Sequence, residues 1–227
     1  IKIEPPGGDF MRAAGPKSGM NPTFVACNRG KRSIVLDLKQ QGAAEILWRL
    51  IESADVLIQN FRPGAIERLG FGASTVAARN PRLVYLSISG VGESGPYSGK
   101  RVYDPVIQAL GGLADIQADP QTGRPRMVRT LIADKTTAVY AAQAVVAALF
   151  SRERTGVGQH VRLSMLDTLV CYLWPEGMTP FALVDAEPET TAASAHDMIF
   201  PTADGYITLG AVSNREWRAL CEVLGRR

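Results

Sequence analysis

The sequence predicts an α/β fold in which a Rossmann-like parallel sheet is covered by crossover helices. Short apolar runs alternate along the chain with longer segments whose apolar residues recur at helical spacing, and this alternation is typical of parallel strands joined by helices. Two of the runs, residues 55–59 and 83–88, are almost continuously apolar. Such runs indicate strands that are buried on both faces of the sheet.

The predicted elements follow one another in a regular order. The opening segment "IKIEPP" has the pattern of the end of a strand. Further strands are predicted at residues 33–38, 55–59 and 83–89 and within "GQHVRLSM". Helices are predicted at residues 41–53 and 134–154 and from about Leu166. The helix at 41–53 is amphipathic, and its apolar face consists of Ile46, Leu47, Leu50 and Ile51.

The chain is predicted to hold one large domain and the beginning of a smaller one. Residues 182–194 are small, polar and acidic, which is typical of a linker. After them, "DGYITLGA" and "NREWRALCEVLG" predict a turn, a strand and a helix. We therefore expect a large α/β domain over residues 1–181, a linker over 182–197 and the first part of a small α/β domain over 198–227. Because the chain opens in mid-strand and stops after a helical pattern, we expect both domains to continue beyond it.

The composition narrows the class of ligand. Hydrophobic residues make up 46% of the 227 residues and charged residues 21%, as in an ordinary globular domain with a sizeable core. The formal net charge of +3 is small and scattered, which favours anionic small molecules over nucleic acid. The pattern predicts neither a leader nor a membrane-spanning segment. We therefore expect no nucleic acid and no membrane among the partners of this chain.

Cysteine and histidine are too sparse for several common kinds of site. Cys27, Cys171 and Cys221 are far apart and form no CxxC pair, so free thiols in a reducing cytoplasm are expected. His160 lies in an alternating pattern and is predicted on a strand surface, and His196 is predicted in a loop. Two histidines supply little for acid–base chemistry or for the ligation of a metal ion, and we expect no metal.

Three glycines match the GxGxxG pattern directly after a predicted strand, namely Gly90, Gly92 and Gly95. A dinucleotide site requires a helix to begin there, so that its N-terminus meets the pyrophosphate. The residues "PYSG" follow instead, and they are typical of a turn. We therefore predict a glycine-rich loop and no nucleotide fingerprint, although such a loop is able to act as a lid beside a site.

One carboxylate is prominent at the beginning of a long apolar helix. In "IADKTTAVYAAQAVVAALFSR" the acid Asp134 stands at the entrance, followed at once by Lys135. Asp134 is either an N-cap, whose oxygen accepts free backbone N–H groups of the first turn, or a nucleophile or base held half out of water. In both cases the helix macrodipole is expected to favour the charged form.

Charged residues gather where predicted strands give way to helices or loops. Open α/β sheets bind their ligands at this edge, and cations there suit a phosphorylated ligand. The residues concerned are Asp37, Lys39, Arg62, Arg68, Lys100 and Arg101. For each cation alone, a solvated surface charge remains the alternative, and Phe61 beside Arg62 is either a packing residue or a stacking platform.

Seven segments of the chain follow one another in a specific order and spacing, namely "IKIEPPGGDFMR", "NRGKRSIVLDLK", "ADVLIQNFRPGAIERLGF", "NPRLVYLSISGVGESGPY", "YDPVIQALGG", "ADKTTAVYAAQAVVAALFSRERTGVGQHVRLSMLD" and "DGYITLG". Taken together, these segments resemble the family III CoA-transferases, the group of formyl-CoA transferase and the carnitine and bile-acid CoA-transferases. The resemblance covers nearly all of the chain and depends on the order and spacing of the segments. The resemblance implies a CoA-binding large domain and an interlocked, ring-like homodimer.

The same resemblance implies that Asp134 is the catalytic carboxylate. In such enzymes it attacks an acyl-CoA thioester, forms a mixed aspartyl anhydride and becomes an aspartyl-CoA thioester, from which the acceptor acid takes CoA. Tyr103 would lie near Asp134 and the acyl group. Coenzyme A, as substrate, would lie along Leu36, Asp37, Lys39, Asn60, Phe61, Arg62, Arg68, Arg101, Val102 and Asp104. Arg68 and Arg101 are the best candidates for contacts with its phosphates.

Other functions stay open at this point. The related α-methylacyl-CoA racemases carry a histidine just before the aspartate that Asp104 resembles, whereas this chain has Tyr103, so two-base racemisation lacks a group with a pKa near neutrality. A non-catalytic CoA-binding protein would use Asp134 only as a cap. Without the resemblance, Tyr103 is a core aromatic of the helix that follows it. Pro5 departs from the family, because some members have an arginine contact there.

Overall fold

The strands of the protein pair in parallel, as the alternating pattern predicts. The structure is a computed structural model that describes residues 1–14, 20–177 and 198–226. Strand β1 (Lys2–Glu4) pairs with β2 (Ser33–Val35). Strands β3 (Val56–Gln59), β4 (Val84–Ser89) and β5 (His160–Ser164) form a three-stranded parallel sheet with β4 in the middle. The predicted α/β class with parallel strands is therefore confirmed.

Strand β2 is shorter than predicted because the chain turns soon after it. The Asp37 carbonyl oxygen accepts the N–H of Gln40 at 2.8 Å, and the Asp37 carboxylate accepts the N–H of Lys39 at 3.1 Å. These hydrogen bonds close a turn over residues that were predicted to extend the strand to residue 38. The other predicted strands agree with the structure to within one or two residues.

Helices lie between the strands throughout the large α/β part. Their bounds are α1 (Pro22–Cys27), α2 (Gln41–Glu52), α3 (Ala65–Arg68), α4 (Ala73–Arg79), α5 (Asp104–Leu110), α6 (Leu113–Ile116), α7 (Ile132–Thr155) and α8 (Met165–Gly177). A short 3-10 helix spans Phe10–Arg12. Helix α2 has its predicted extent and buries Leu47 and Ile51, although Ile46 at the edge of the apolar face is exposed.

Helix α7 begins earlier than predicted, and this corrects the N-cap interpretation of Asp134. The N-cap is Leu131, and Asp134 lies inside the first turn with no capping hydrogen bond from its side chain. Helical geometry at Ile132 and Ala133 allows both side chains to pack into a core cluster with Ile107. The helix therefore starts before Asp134. Asp134 is therefore a first-turn residue whose carboxylate is not engaged as a cap.

Two apolar clusters hold the elements together. The first packs α2, α3 and α4 against the strands through Leu36, Leu47, Ile51, Ile66, Phe71, Val76, Leu83 and Tyr85. The second joins α5, α6, α7 and α8 through Ile107, Leu113, Ala133 and Leu169. Because the second cluster contains residues from the first turn of α7, it determines where that turn stands relative to α5.

The last described segment contains the predicted strand and helix. Strand β6 (Ile199–Pro201) pairs antiparallel with β7 (Tyr206–Thr208), and α9 (Asn214–Val223) begins with a capping box between Ser213 and Glu216. The predicted linker at 182–197 lies outside the described residues, so the domain boundaries stay predictions. In the described ranges, no helix is both long and apolar enough to cross a bilayer.

Candidate active site

A groove of about 510 Å³ lies where the parallel strands end. Its walls come from the segment after β3, the segment after β4, and Met165 directly after β5. The carboxyl ends of parallel strands meet at one edge of a sheet, which is where open α/β folds bind ligands. We call this cavity the Asp134 groove, because the first turn of α7 contributes Asp134 to its lining.

The glycine-rich segment after β4 forms part of the groove wall. It runs through turns from residue 90 to residue 103, and no helix begins until α5 at Asp104. The GxGxxG match is therefore no dinucleotide fingerprint, because the helix N-terminus that would bind a pyrophosphate is missing from this position. The prediction of a loop at these glycines is confirmed, and a role for it as a lid stays a prediction.

The carboxylate of Asp134 is exposed in the groove. Among the residues that the structure describes, none donates a hydrogen bond to its oxygens or forms an ion pair with it. Partial burial raises the pKa of Asp134, and the negative charge of Asp104 raises it further. This differs from the expectation that the helix N-terminus would dominate. Loss of hydration and a like charge both act against the charged form of this carboxyl group.

Tyr103 lines the groove directly before α5. Its side chain is 67% exposed, so the alternative of a core aromatic is wrong. The residue after it, Asp104, begins the helix and is buried, which leaves Tyr103 as the last residue of the loop. Tyr103 and Asp134 line the same groove, as the resemblance implied.

Among the described residues, three cations line the Asp134 groove, one after β3 and two in the segment between β4 and α5. Arg62 follows β3, and Lys100 and Arg101 lie just before α5. The Lys100 ammonium stands 4.1 Å from the centroid of the Tyr97 ring. Asn60, Phe61 and Val102 line the groove beside these cations. The groove thus combines positive charge with one free carboxylate, Asp134.

Four of the residues expected at the CoA site lie outside this groove. Leu36 is buried in the first apolar cluster, and Asp37 and Lys39 belong to the turn after β2. The Arg68 guanidinium folds back over Gly64, where a Cβ would come within 3.0 Å of it. Gly64 lines a side pocket of about 150 Å³ that shares Phe61 and Arg62 with the groove, so the Arg68 guanidinium lies next to a residue that lines this side pocket.

The structure adds groove residues that sequence reasoning did not select. Phe10 and Met11 line the groove from the 3-10 helix, and Leu131 and Met165 line it from either end of the α7–β5 segment. Buried Glu4 anchors the 3-10 helix, because it accepts hydrogen bonds from Arg12 Nε and Nη2, both at 2.7 Å. Phe10 and Met11 lie in "GGDFMR", which is part of a segment that carries the resemblance. These adjacent apolar residues were the signal from which a contact with the groove could have been predicted.

In the part of the chain that the structure describes, neither histidine nor cysteine lines the groove. His160 is half-buried in β5 rather than on the strand surface, and its Nε2 lies 2.8 Å from Ser87 Oγ. Burial lowers the pKa of His160. His196 lies outside the described residues. All three cysteines are free thiols, as predicted, and in the described ranges no three His, Cys, Asp or Glu side chains come together as a metal site.

A parallel sheet with a cation-lined groove at its carboxyl edge defines an α/β protein with a candidate ligand site at the ends of its strands. The chain belongs to CoA-transferase family III, whose family model matches residues 1–227. The predicted family is therefore confirmed.

Individual relatives agree with this assignment. The chain is 36% identical over 239 residues to succinate–glutarate CoA-transferase from Agrobacterium fabrum, covering 99% of this chain and 59% of that protein. It is 36% identical over 234 residues to acetyl-CoA:oxalate CoA-transferase from Acetobacter aceti, with 99% and 59% covered. A solved CAIB/BAIF family protein from Brucella suis matches with a TM-score of 0.86 and 33% identity, over 99% of this chain and 62% of that one. The chain thus spans about three fifths of the length of these curated relatives.

Proposed function

We propose that this chain carries the nucleophile and much of the CoA site of an enzyme that moves CoA from an acyl-CoA donor to a carboxylic acid. One observation carries the proposal. The Asp134 carboxylate is exposed and unpaired among the described residues, in a groove with three cations at the carboxyl edge of the sheet. A carboxylate with no structural partner in such a place is available for covalent chemistry.

The donor half of the reaction uses Asp134 as a nucleophile. A carboxylate oxygen of Asp134 attacks the thioester carbonyl carbon, the carbon–sulfur bond breaks, and CoA leaves as a thiolate. The product on the protein is a mixed anhydride. The thiolate then attacks the Asp134 carbonyl carbon of this anhydride, the donor acid leaves as a carboxylate, and Asp134 is left as a CoA thioester.

The acceptor half runs through the same steps in reverse. The acceptor carboxylate attacks the aspartyl thioester and expels the CoA thiolate, which then attacks the acyl carbon of the acceptor in the second anhydride. The products are the acceptor acyl-CoA and the original Asp134 carboxylate. Each nucleophile and each leaving group is an anion, so no proton has to be transferred. The proposed chemistry therefore does not require a histidine in the groove.

The surrounding side chains have binding roles in this proposal. Arg62 and Arg101 bind phosphate groups of CoA by charge-assisted hydrogen bonds, and Arg68 extends this contact along the side pocket. Asn60, Phe61 and Val102 contact the rest of the cofactor from the groove wall. The Tyr103 hydroxyl donates to the acyl oxygen as negative charge develops there. Leu36, Asp37 and Lys39 remain predicted CoA contacts at the level of the resemblance.

The names of the relatives support a proposal for the class of acceptor. Two of them are named for succinate and glutarate and for oxalate, which are dicarboxylates. We therefore propose small carboxylic acids, dicarboxylates first, as acceptors for this protein.

The intact protein is further proposed to be a cytoplasmic interlocked homodimer. Light scattering after size exclusion tests the dimer.

The decisive experiment traps the covalent intermediate. The intact protein is incubated with a panel of acyl-CoAs, quenched with hydroxylamine, digested and analysed by mass spectrometry. We expect a CoA thioester or a hydroxamate on the peptide that contains Asp134. The adduct should be missing from Asp134→Asn and present in the matched control Asp115→Asn, because Asp115 is an exposed residue outside the groove.

Two other outcomes would overturn the transferase mechanism. If no adduct forms but deuterium from solvent enters the α-carbon of a branched acyl-CoA, the protein is an acyl-CoA isomerase of the racemase kind. If neither occurs while CoA still binds, the protein is a non-catalytic CoA-binding protein.

A further inference from the structure

Two buried polar side chains lie one turn apart on α5, and the first of them, Asp104, also lines the Asp134 groove. Asp104 is 3% exposed and Gln108 is 2% exposed. Gln108 Nε2 donates a hydrogen bond of 2.6 Å to Asp104 Oδ1. Buried polar groups are retained in a core only when their hydrogen bonds are satisfied, so the other contacts of this pair indicate what it holds in place.

Gln108 binds the backbone segment that leads into α7. Its Oε1 accepts the N–H of Val128 at 2.9 Å, and its Nε2 donates to the carbonyl oxygen of Thr130 at 3.2 Å. The amide group therefore uses its acceptor and both of its N–H groups. Because these bonds join residues that are 20 and 22 positions apart in the chain, they fix the segment before α7 against α5.

Asp104 binds the first turn of α7 itself. Its Oδ2 accepts the backbone N–H of Asp134 at 3.1 Å. N–H groups in the first turn of a helix have no partner within the helix, and the N-cap residue Leu131 supplies no side-chain acceptor. A carboxylate from α5 thus takes the place of a capping side chain, and it does so at the residue proposed as the nucleophile.

We infer that Asp104 and Gln108 are positioning residues that hold the backbone of Asp134, so that its carboxylate is kept in the groove where the substrate binds. This rests on the proposed function for its catalytic consequence. It also gives Asp104 a different role from the CoA contact that the resemblance implied, because both of its oxygens already accept hydrogen bonds from the protein. The α5 pair acts through Asp134 and does not touch CoA.

The test compares two substitutions in the intact protein with two matched controls. Asp104→Asn preserves shape but places an amide N–H₂ opposite one of the two donors, so one hydrogen bond is lost. Gln108→Leu preserves volume and removes the bonds to Val128 and Thr130. The controls are Asp115→Asn and Gln117→Leu, because Asp115 and Gln117 are exposed and lie outside the groove.

We expect both α5 variants to lower kcat by about 10- to 100-fold, since a small displacement of a reacting group has an effect of this size. The KM for acyl-CoA should change by less than about twofold, because the cations that bind CoA are untouched. A variant that raises KM and leaves kcat unchanged would show that Asp104 contacts CoA, and this would overturn the inference.

A pH profile separates positioning from simple destabilisation. The charged side chains that share the groove with Asp134 are Arg62, Lys100, Arg101 and Asp104, and Lys135, next on α7, donates to Thr130 Oγ1. Asp104→Asn removes the only like charge among them, so the acid limb of the pH–rate profile should move to lower pH. Gln108→Leu leaves that charge in place and should lower the rate without moving the limb. An acid limb that lies at the same pH in all variants would contradict the inference.

A measurement on the unmodified protein needs neither activity nor a folded variant. Hydrogen exchange resolved to the amide of Asp134 should be slow, because that N–H is bonded to a buried carboxylate, whereas an unbonded first-turn amide exchanges quickly. Fast exchange at Asp134 would overturn the inference by itself. If exchange is slow but no adduct forms on Asp134 in the unmodified protein, the hydrogen bond is confirmed and the proposed function fails instead.

Discussion

Gly90 packs so tightly against Val102 that a Cβ on residue 90 would come within 1.9 Å of Val102 Cγ2. Val102 lines the Asp134 groove, and the Gly90 carbonyl oxygen accepts the N–H of Leu166 at 3.0 Å. The first glycine of the GxGxxG match is therefore required by close packing at the end of β4. It allows the loop after β4 to fold back against the sheet and form the groove wall.

Substitution Gly90→Ala should displace Val102 and weaken both the fold and the site. We expect a loss of about 1–3 kcal/mol in the free energy of unfolding, as for other overpacked positions, together with a higher KM for acyl-CoA. Urea denaturation and steady-state kinetics measure the two effects. Gly99→Ala is the matched control, because a Cβ there meets nothing within 4 Å, and it should change stability by less than about 0.5 kcal/mol.

The rate of covalent adduct formation should fall at a higher pH than an ordinary aspartate would require. Only the ionised Asp134 attacks the thioester, and its pKa is raised by burial and by Asp104. On lowering the pH, the carboxylate is therefore protonated before the pH reaches the usual aspartate value of about 3.9. Single-turnover rates against pH measure this, with circular dichroism to show that the protein stays folded. An acid limb at or below pH ~3.9 would contradict the prediction.

Removing a groove cation should weaken binding of the CoA thioester. Arg101→Gln is expected to raise the KM for acyl-CoA by about tenfold, because a charge-assisted hydrogen bond to phosphate is lost. The KM of the unmodified protein should also rise with ionic strength, and less steeply in the variant. Arg49→Gln is the control, since Arg49 is exposed on α2 outside the groove. An unchanged KM in Arg101→Gln would remove that residue from the CoA site.

The apolar cluster beneath the groove should be sensitive to truncation. Leu169 is completely buried and packs in the cluster with Ile107 and Ala133. Leu169→Ala should lower the free energy of unfolding by about 2–5 kcal/mol, because it leaves a cavity in the core. Leu110→Ala is the control, since Leu110 is 50% exposed on α5. Equal effects of the two substitutions in urea denaturation would show that the cluster is not the main support of α7.

The anchor of the 3-10 helix should make stability depend on pH. Hydrogen bonds from Arg12, Ser33 and the N–H of Asp9 lower the pKa of Glu4. A carboxyl group with a lowered pKa stabilises the fold above its unfolded pKa of about 4.3, and this contribution is lost as the pH falls through the folded value.

Glu4→Gln should therefore lower the Tm at pH 7, and the difference from the unmodified protein should shrink below about pH 4. Thermal unfolding across this range measures the effect. Glu45→Gln, at an exposed position on α2, is the control and should show no such convergence. A constant difference at every pH would mean that the Glu4 charge does not contribute to stability.

Much of the architecture could be predicted because it depends on local patterns in the sequence. The almost continuous apolar runs at β3 and β4 predicted buried parallel strands, and the alternation of strands and helices predicted the edge at which the groove lies. The turn residues after Gly95 correctly excluded a nucleotide fingerprint. Asp134 and Tyr103 were placed at the site by resemblance to a family, since neither residue has a local signal that distinguishes a nucleophile or a substrate contact.

Other features could not be predicted from local pattern. Of the two alternatives for Asp134, the N-cap is wrong, because the helix begins at Ile132, and that residue and Ala133 pack into the core with Ile107. Leu36 and Arg68 were expected beside CoA, yet one is buried in the first apolar cluster and the other folds over Gly64. Phe10 and Met11 line the groove together with residues that are at least 49 positions later in the chain. Hydrophobic periodicity does not predict contacts between residues so far apart in the sequence.

The sequence by itself determined the class of fold, the order of its elements and the family to which the chain belongs, because periodicity and segment order are properties of neighbouring residues. Only the tertiary structure decided that Asp104, 30 residues before Asp134, accepts the backbone N–H of that residue. It likewise decided that burial and a like charge raise the pKa of Asp134. Hydrogen bonding, desolvation and Coulomb interaction depend on distance in space, and that distance is set by how α5 and α7 pack together.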